Sequence, residues 1–77
     1  MDIKIAIGQR IRALRETKNM AQKDLAYAAD LDRTYIASVE CGKRNISIVN
    51  IEKITNALEV SLKEFFDDVS FLEIQKD

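Results

Sequence analysis

The chain contains no proline, and its two glycines, Gly8 and Gly42, stand 34 residues apart. Proline and glycine are the residues that most often interrupt helices. Little in these 77 residues therefore prevents the backbone from coiling almost throughout. Apolar residues make up 47% and charged residues 32%, a balance that supports a packed core rather than disorder. The length suits one small domain near the lower limit for folding alone. The expected fold is all-α, a compact bundle of five helices spanning residues 1–77 as a single domain, with 67–77 as a C-terminal tail.

Apolar spacing places the helices. Ile3, Ile7, Ile11 and Leu14 recur on one face of a first helix over about Ile3 to Lys18, with Arg10, Arg12 and Arg15 off that stripe. Met20 then plugs the core at the exit turn. A second helix runs from about Gln22 to Ala29, with Leu25, Ala26, Ala28 and Ala29 as a small apolar side that lets two backbones approach closely. Asp30 closes it, Leu31 turns inward, and Asp32 caps a third helix over about Arg33 to Cys41. Gly42 stands where a left-handed C-terminal cap belongs. Ser47 caps a fourth helix carrying Ile48, Ile51, Ile54 and Leu58. Ser61 opens a fifth, with Glu64 completing a capping box and Leu62, Phe65 and Phe66 burying it. The tail, VSFLEIQK, carries Val69, Phe71, Leu72 and Ile74. Helix, strand and disorder all remain open for it. Part of it is expected to complete the core, and a domain this small leaves the rest for an intersubunit contact.

The corner between the second and third helices spans about three residues, within the range of a helix-turn-helix. The third helix buries Ile36 and Val39 and exposes Arg33, Thr34, Tyr35 and Ser38 near its start. One apolar stripe behind a hydrogen-bonding front suits insertion into a DNA major groove. Net charge is −1, yet its distribution is polarised. Residues 1–45 hold nine Lys/Arg against six acids, and residues 46–77 hold three Lys against seven acids. Phosphate attraction depends on the local patch rather than on the overall sum.

Other functions find little support. There is no histidine, so the single Cys41 has no imidazole to activate it, and zinc sites built on Cys and His lack ligands. Two distant glycines cannot form a phosphate-cradling loop. Asp24, Asp30, Asp67 and Asp68 are conceivable metal ligands, but the Asp67–Asp68 pair reads better as a solvated turn. Neither an enzyme activity nor a cofactor or metal is expected. The longest apolar run is far short of the ~20 residues that a membrane span needs. The N-terminus MDIKIAIGQR does not read as a signal peptide. A lone cysteine and no export signal make the cytoplasm the expected location.

Three segments resemble one family in register. IGQRIRALRETKNMAQKDLA (Ile7 to Ala26), LDRTYIASVECGKRNIS (Leu31 to Ser47) and IEKITNALEVSLKEFF (Ile51 to Phe66) are similar to the Xre/Cro-type helix-turn-helix domain of bacterial and phage regulators, a lambda-repressor-like DNA-binding fold. LDRTYI, followed by a Glu, a Gly and RNIS, looks most like the controller proteins of restriction–modification systems. The resemblance implies a phosphate contact from Gln22, base reading by Arg33, Thr34, Tyr35 and Ser38, and phosphate contacts from Lys43, Arg44, Asn45 and Ser47. It also implies a structural ion pair between Arg15 and Glu40. Two positions depart from the family: Ala21 stands where a Thr or Ser usually caps the second helix, and Cys41 replaces a residue that is often basic or Asn.

Each of these side chains also has a plainer reading. Arg33 could be a solvated arginine, Tyr35 could pack over the second helix, and Lys43–Asn45 could be an ordinary polar loop. The favoured function is a homodimeric transcription regulator on a pseudo-palindromic operator, dimerising through Phe65, Phe66, Val69, Phe71, Leu72 and Ile74 in some combination. A bound dimer would block RNA polymerase or recruit it through an acidic surface containing Asp24, Asp30 or Glu52. The alternative is an antitoxin or other protein-interaction module in which DNA binding is secondary.

Overall fold

The computed structural model describes residues 2–73. It consists of α1 (Ile3–Thr17), α2 (Gln22–Ala29), α3 (Arg33–Glu40), α4 (Ile48–Leu58), α5 (Leu62–Phe66) and a closing 3₁₀ helix (Val69–Glu73). The tail thus continues as a tight helical turn through Glu73, and Ile74 lies outside the described residues.

Local chemistry sets the helix boundaries. Asp2, Asp32, Ser47 and Ser61 each accept a backbone N–H from the first turn that follows, at 2.7–3.1 Å. Such a bond satisfies one of the orphan donors at a helix start. At Ser61 this is the forward half of the expected capping box. Ala21 has no acceptor, so α2 begins differently: the Asp24 carboxylate reaches back to the Ala21 N–H at 2.8 Å. Asp24 thereby satisfies the Ala21 N–H, a different donor from the first-turn N–H that a capping Ser or Thr would take.

Left-handed residues end four of the helices, α1 among them through Asn19 (φ 56°), where the Met20 N–H returns to the Arg15 carbonyl at 3.1 Å. Gly42 (φ 74°) follows α3, Asp30 (φ 56°) follows α2 and Glu59 (φ 60°) follows α4. In each case the next residue's N–H returns to a carbonyl one turn back, Lys43 to Ser38 at 3.1 Å, Leu31 to Ala26 at 2.9 Å and Val60 to Thr55 at 3.0 Å. This is the pattern of a left-handed helix cap.

The core gathers Ile7 and Ile11 of α1, Leu25, Ala26 and Ala29 of α2, and Ile36 and Val39 of α3. Ile51, Ile54 and Leu58 of α4 complete it, with Val60 and Phe65. Met20, Leu31, Tyr35 and Phe71 pack on its edge. Gly8 lies where α1 crosses α3. A Cβ placed there would stand 2.3 Å from the Val39 carbonyl oxygen and 2.8 Å from that of Glu40, so only glycine permits this approach.

Several expectations need correction. Ile3 and Ile48 continue the apolar stripes of α1 and α4, yet both are exposed. Each is the first residue of its helix, where the periodicity persists but the bundle no longer covers it. Ala28 is exposed, and Leu62 and Phe66 remain over two-fifths exposed, so Phe65 alone anchors α5 in the core. Arg10 completes that anchorage from the far end of the chain. Its guanidinium donates to the carbonyls of Phe65 (2.7 Å) and Glu64 (2.8 Å) and meets the Asp68 carboxylate at 3.5 Å. The positive charge sits at the carbonyl end of the short helix, where its unpaired acceptors lie.

Candidate nucleic-acid interface

The turn Asp30–Asp32 sets α3 against α2, and the Asp32 cap presents the first turn of α3 to solvent. Asp32 accepts from the Thr34 N–H at 2.8 Å and also from the Thr34 hydroxyl. These bonds hold the Asp32 carboxyl below the usual carboxylate range. Thr34 keeps its hydroxyl lone pairs available. Arg33, the first residue of α3, is exposed, and among the described residues it carries no salt bridge. Ser38 lies one turn beyond Thr34 on the same side and is half-buried. Ile36 and Val39 face the core, so the helix divides into a buried back and a polar front.

Tyr35 behaves differently from its neighbours. It is half-buried and packs on the core edge, with its hydroxyl accepting a hydrogen bond from Asn50 Nδ2 at 3.0 Å. The hydroxyl thus ties the ring to α4. The Arg44 guanidinium lies 5.0 Å from its centroid, in cation–π range.

The loop from Lys43 to Ser47 follows. Lys43, Arg44 and Asn45 are exposed, and Ser47 Oγ caps α4 while its own O–H remains free to donate. Two cations and two neutral donors on an extended loop next to the α3 front form a surface suited to phosphate oxygens.

Behind this surface, the Arg15 guanidinium makes two parallel bonds to the Glu40 carboxylate, at 2.7 and 3.0 Å, and a third to the Met20 carbonyl at 2.7 Å. The Glu40 side chain is only 3% exposed. Its hydrogen bond with Arg15, with burial opposing, raises the guanidinium pKa above its ordinary value. Gln22, the first residue of α2, donates Nε2 to Glu40 Oε1 at 3.1 Å. Its second amide N–H remains available for an anion. Gln22 is therefore part of the strut as well as a candidate phosphate contact.

Among the apolar residues expected at a subunit contact, Phe65 is fully buried in its own subunit. It belongs to the core and has no side-chain surface left for a partner. Phe71 is half-buried against Phe66, with ring centroids 5.1 Å apart. Phe66, Val69 and Leu72 remain exposed. Ile48, Val49 and Leu62 add exposed apolar surface on α4 and α5, where with Glu52 they line a shallow cleft of about 210 Å³. Among the described residues no three His, Cys, Asp or Glu side chains gather as a metal site, and no helix is long and apolar enough to cross a membrane.

Residues 11–65 match the helix-turn-helix family model. The chain is 48% identical over 69 residues to the control protein C.MunI of Mycoplasma sp, covering 88% of this chain and 93% of that one. The chain belongs to the helix-turn-helix controller proteins of restriction–modification systems. The fold agrees with this membership. The crystal structure of the controller protein C.AhdI from Aeromonas hydrophila superposes with a TM-score of 0.82 at 42% identity, over 86% of this chain and all of that one. C.Esp1396I bound to a 25 base pair operator site gives a TM-score of 0.82 at 40% identity, over 87% of this chain and 88% of that one.

Nothing in the sequence signals the parts played by Asn50 and Arg10 in this controller protein. Asn50 meets a phenol hydroxyl 15 residues away, and Arg10 meets two backbone carbonyls and the Asp68 carboxylate more than 50 residues away, separations over which no local pattern marks a partner. The dual engagement of Gln22 has a weak signal, since it opens α2 close to the exit from α1 that Arg15 holds.

Proposed function

We propose that this protein is a homodimeric, sequence-specific transcriptional regulator of restriction–modification genes that binds a pseudo-palindromic operator. The observation that carries the proposal is the polar front of α3. Arg33 and Thr34 stand exposed at its first turn, beside a cationic loop and on a helix braced from behind. C.Esp1396I, of the same fold, has been crystallised on a 25 base pair operator site and as a tetramer on its natural 35 base-pair operator.

In this reading Arg33 donates two bonds to a guanine edge, and Thr34 and Ser38 make weaker, less discriminating contacts. Tyr35 meets a sugar, a thymine methyl or a phosphate at the groove edge. Gln22, Lys43, Arg44, Asn45 and Ser47 hold the phosphate backbone and fix register. Two copies place their α3 helices in successive major grooves about 34–36 Å apart. The apolar surface of Phe66, Val69 and Leu72, with Phe71 at its edge and Ile48, Val49 and Leu62 nearby in the fold, supports dimerisation. Glu52 lines the cleft on that surface, which leaves Asp24 of α2 and Asp30, just past its end, for RNA polymerase. Tyr27, between them and 90% exposed, extends that patch.

Gel shift against genomic fragments at two salt concentrations tests the proposal. Sequence-selective complexes that survive competitor DNA and weaken steeply with salt are expected. No complex at micromolar dimer would overturn it, and the apolar surface would then point to a protein-interaction module.

A further inference from the structure

The Tyr35 ring has support on two sides that the DNA-binding reading does not yet use. Asn50 donates Nδ2 to its hydroxyl at 3.0 Å, and Arg44 lies over its face at 5.0 Å. Asn50 is itself firmly placed, because its backbone N–H is held by the Ser47 cap at 3.1 Å in the first turn of α4. A continuous path therefore runs from α4 through Asn50 to the base-reading helix, and from Tyr35 to the clamp loop.

We propose that Asn50 is a positioning residue for operator binding: it fixes Tyr35, and Tyr35 holds Arg44 in the posture in which it meets a phosphate. This rests on the reading of Lys43–Ser47 as a backbone clamp. Arg44 is exposed on a segment without helical hydrogen bonding, so its long side chain would otherwise lose much rotamer freedom on reaching DNA. Stacking on an immobile ring removes part of that freedom in advance. The ring is immobile only while its hydroxyl is tethered as well as its edge packed. The tether also directs chemistry. A phenol that accepts from Asn50 keeps its own proton to donate outward, and the accepted bond strengthens that donor. Reading helix and clamp then share one support, and Asn50 needs no contact with DNA.

The test uses the duplex that the wild-type protein selects from a random-sequence pool. Asn50→Ala is expected to bind it about five- to tenfold more weakly. The slope of log affinity against log salt should fall toward that of Arg44→Ala, about one unit below wild type. Asn50→Ala removes no charge, so a loss of stability alone would not change that slope. In a Tyr35→Phe background, which keeps the ring and deletes the hydroxyl, Asn50→Ala should cost nothing further. Unchanged affinity and slope in a folded Asn50→Ala protein overturns the proposal, as does a loss that persists in full beside Tyr35→Phe. Should Asn50→Ala fail to fold, Tyr35→Phe alone decides, since an unaltered salt slope in that variant contradicts a tethered platform. If the wild-type protein selects no duplex, the clamp reading fails first and this inference falls with it, so the wild-type arm separates the two failures.

Discussion

The Arg15 guanidinium grips both carboxylate oxygens of Glu40, at 2.7 and 3.0 Å, across the crossing of α1 and α3. Both side chains are almost out of solvent, at 11% and 3% exposure. A further guanidinium N–H donates to the Met20 carbonyl, and Gln22 donates to the same carboxylate. The pair ties α1 to α3 behind that helix's polar front.

Removing one partner should therefore be severe. Glu40→Ala would strand a buried guanidinium, and a cost of about 3–5 kcal/mol is expected. That is a large part of the roughly 5–15 kcal/mol that holds a small domain together. Urea denaturation of the variant checks this. A loss under about 1 kcal/mol would place the pair with exposed ion pairs, which contribute little.

Gly8→Ala sets two effects against each other. Alanine favours a helix over glycine by about 1 kcal/mol. A methyl group here would overlap the Val39 carbonyl oxygen at 2.3 Å, and that atom belongs to backbone that cannot step aside. Overpacking of about 1–3 kcal/mol should win, and thermal unfolding should shift downward. A variant more stable than wild type would contradict the close crossing.

Glu59→Gly should act in the opposite direction. Glu59 ends α4 at φ 60°, a conformation that crowds its Cβ, and it is exposed. Relieving that strain is expected to add about 0.5–1 kcal/mol even after glycine's greater unfolded-state entropy. Denaturant midpoints of the two proteins measure it.

Acid should loosen two caps. Asp32 is held below its ordinary pKa first by the Thr34 hydroxyl, and Asp68 first by Ser70, with Arg10 adding to it. A carboxyl whose folded pKa is depressed contributes stability above its unfolded value, near pH 3.9, and loses it as pH falls through the folded value. Asp32→Asn keeps a capping oxygen but does not titrate. Its melting temperature should fall less steeply than that of wild type below about pH 4.

Much of this architecture is legible in the residues themselves, and the failures share a cause. Asp32, Ser47, Ser61 and Gly42 announce their helix ends through chemistry confined to a few neighbours. The front of α3 follows from Ile36 and Val39 being buried behind it. Ile3 and Ile48 continue apolar stripes yet stay exposed, because periodicity records which face is apolar, not where a neighbouring helix stops. Phe65 and Phe66 are equal in the sequence, yet only the packed structure sends one inward and leaves the other over two-fifths exposed. Arg10 and Asn50 carry no local sign of their roles, because their partners are a distant carbonyl pair with the Asp68 carboxylate, and a single phenol. The Ala21 start of α2 reads as uncapped until the Asp24 carboxylate is seen to return to it.

Methylation interference on the selected duplex addresses the proposed base-reading role of Arg33 most directly. Methyl groups on guanine N7 occupy the major-groove edge that an arginine would grasp. Wild-type protein is expected to reject duplexes methylated at guanines in two clusters about one helical turn apart, and Arg33→Ala should become indifferent to those guanines. Interference at a single cluster, or interference that Arg33→Ala leaves intact, would show that α3 does not enter the groove as a pair of reading heads.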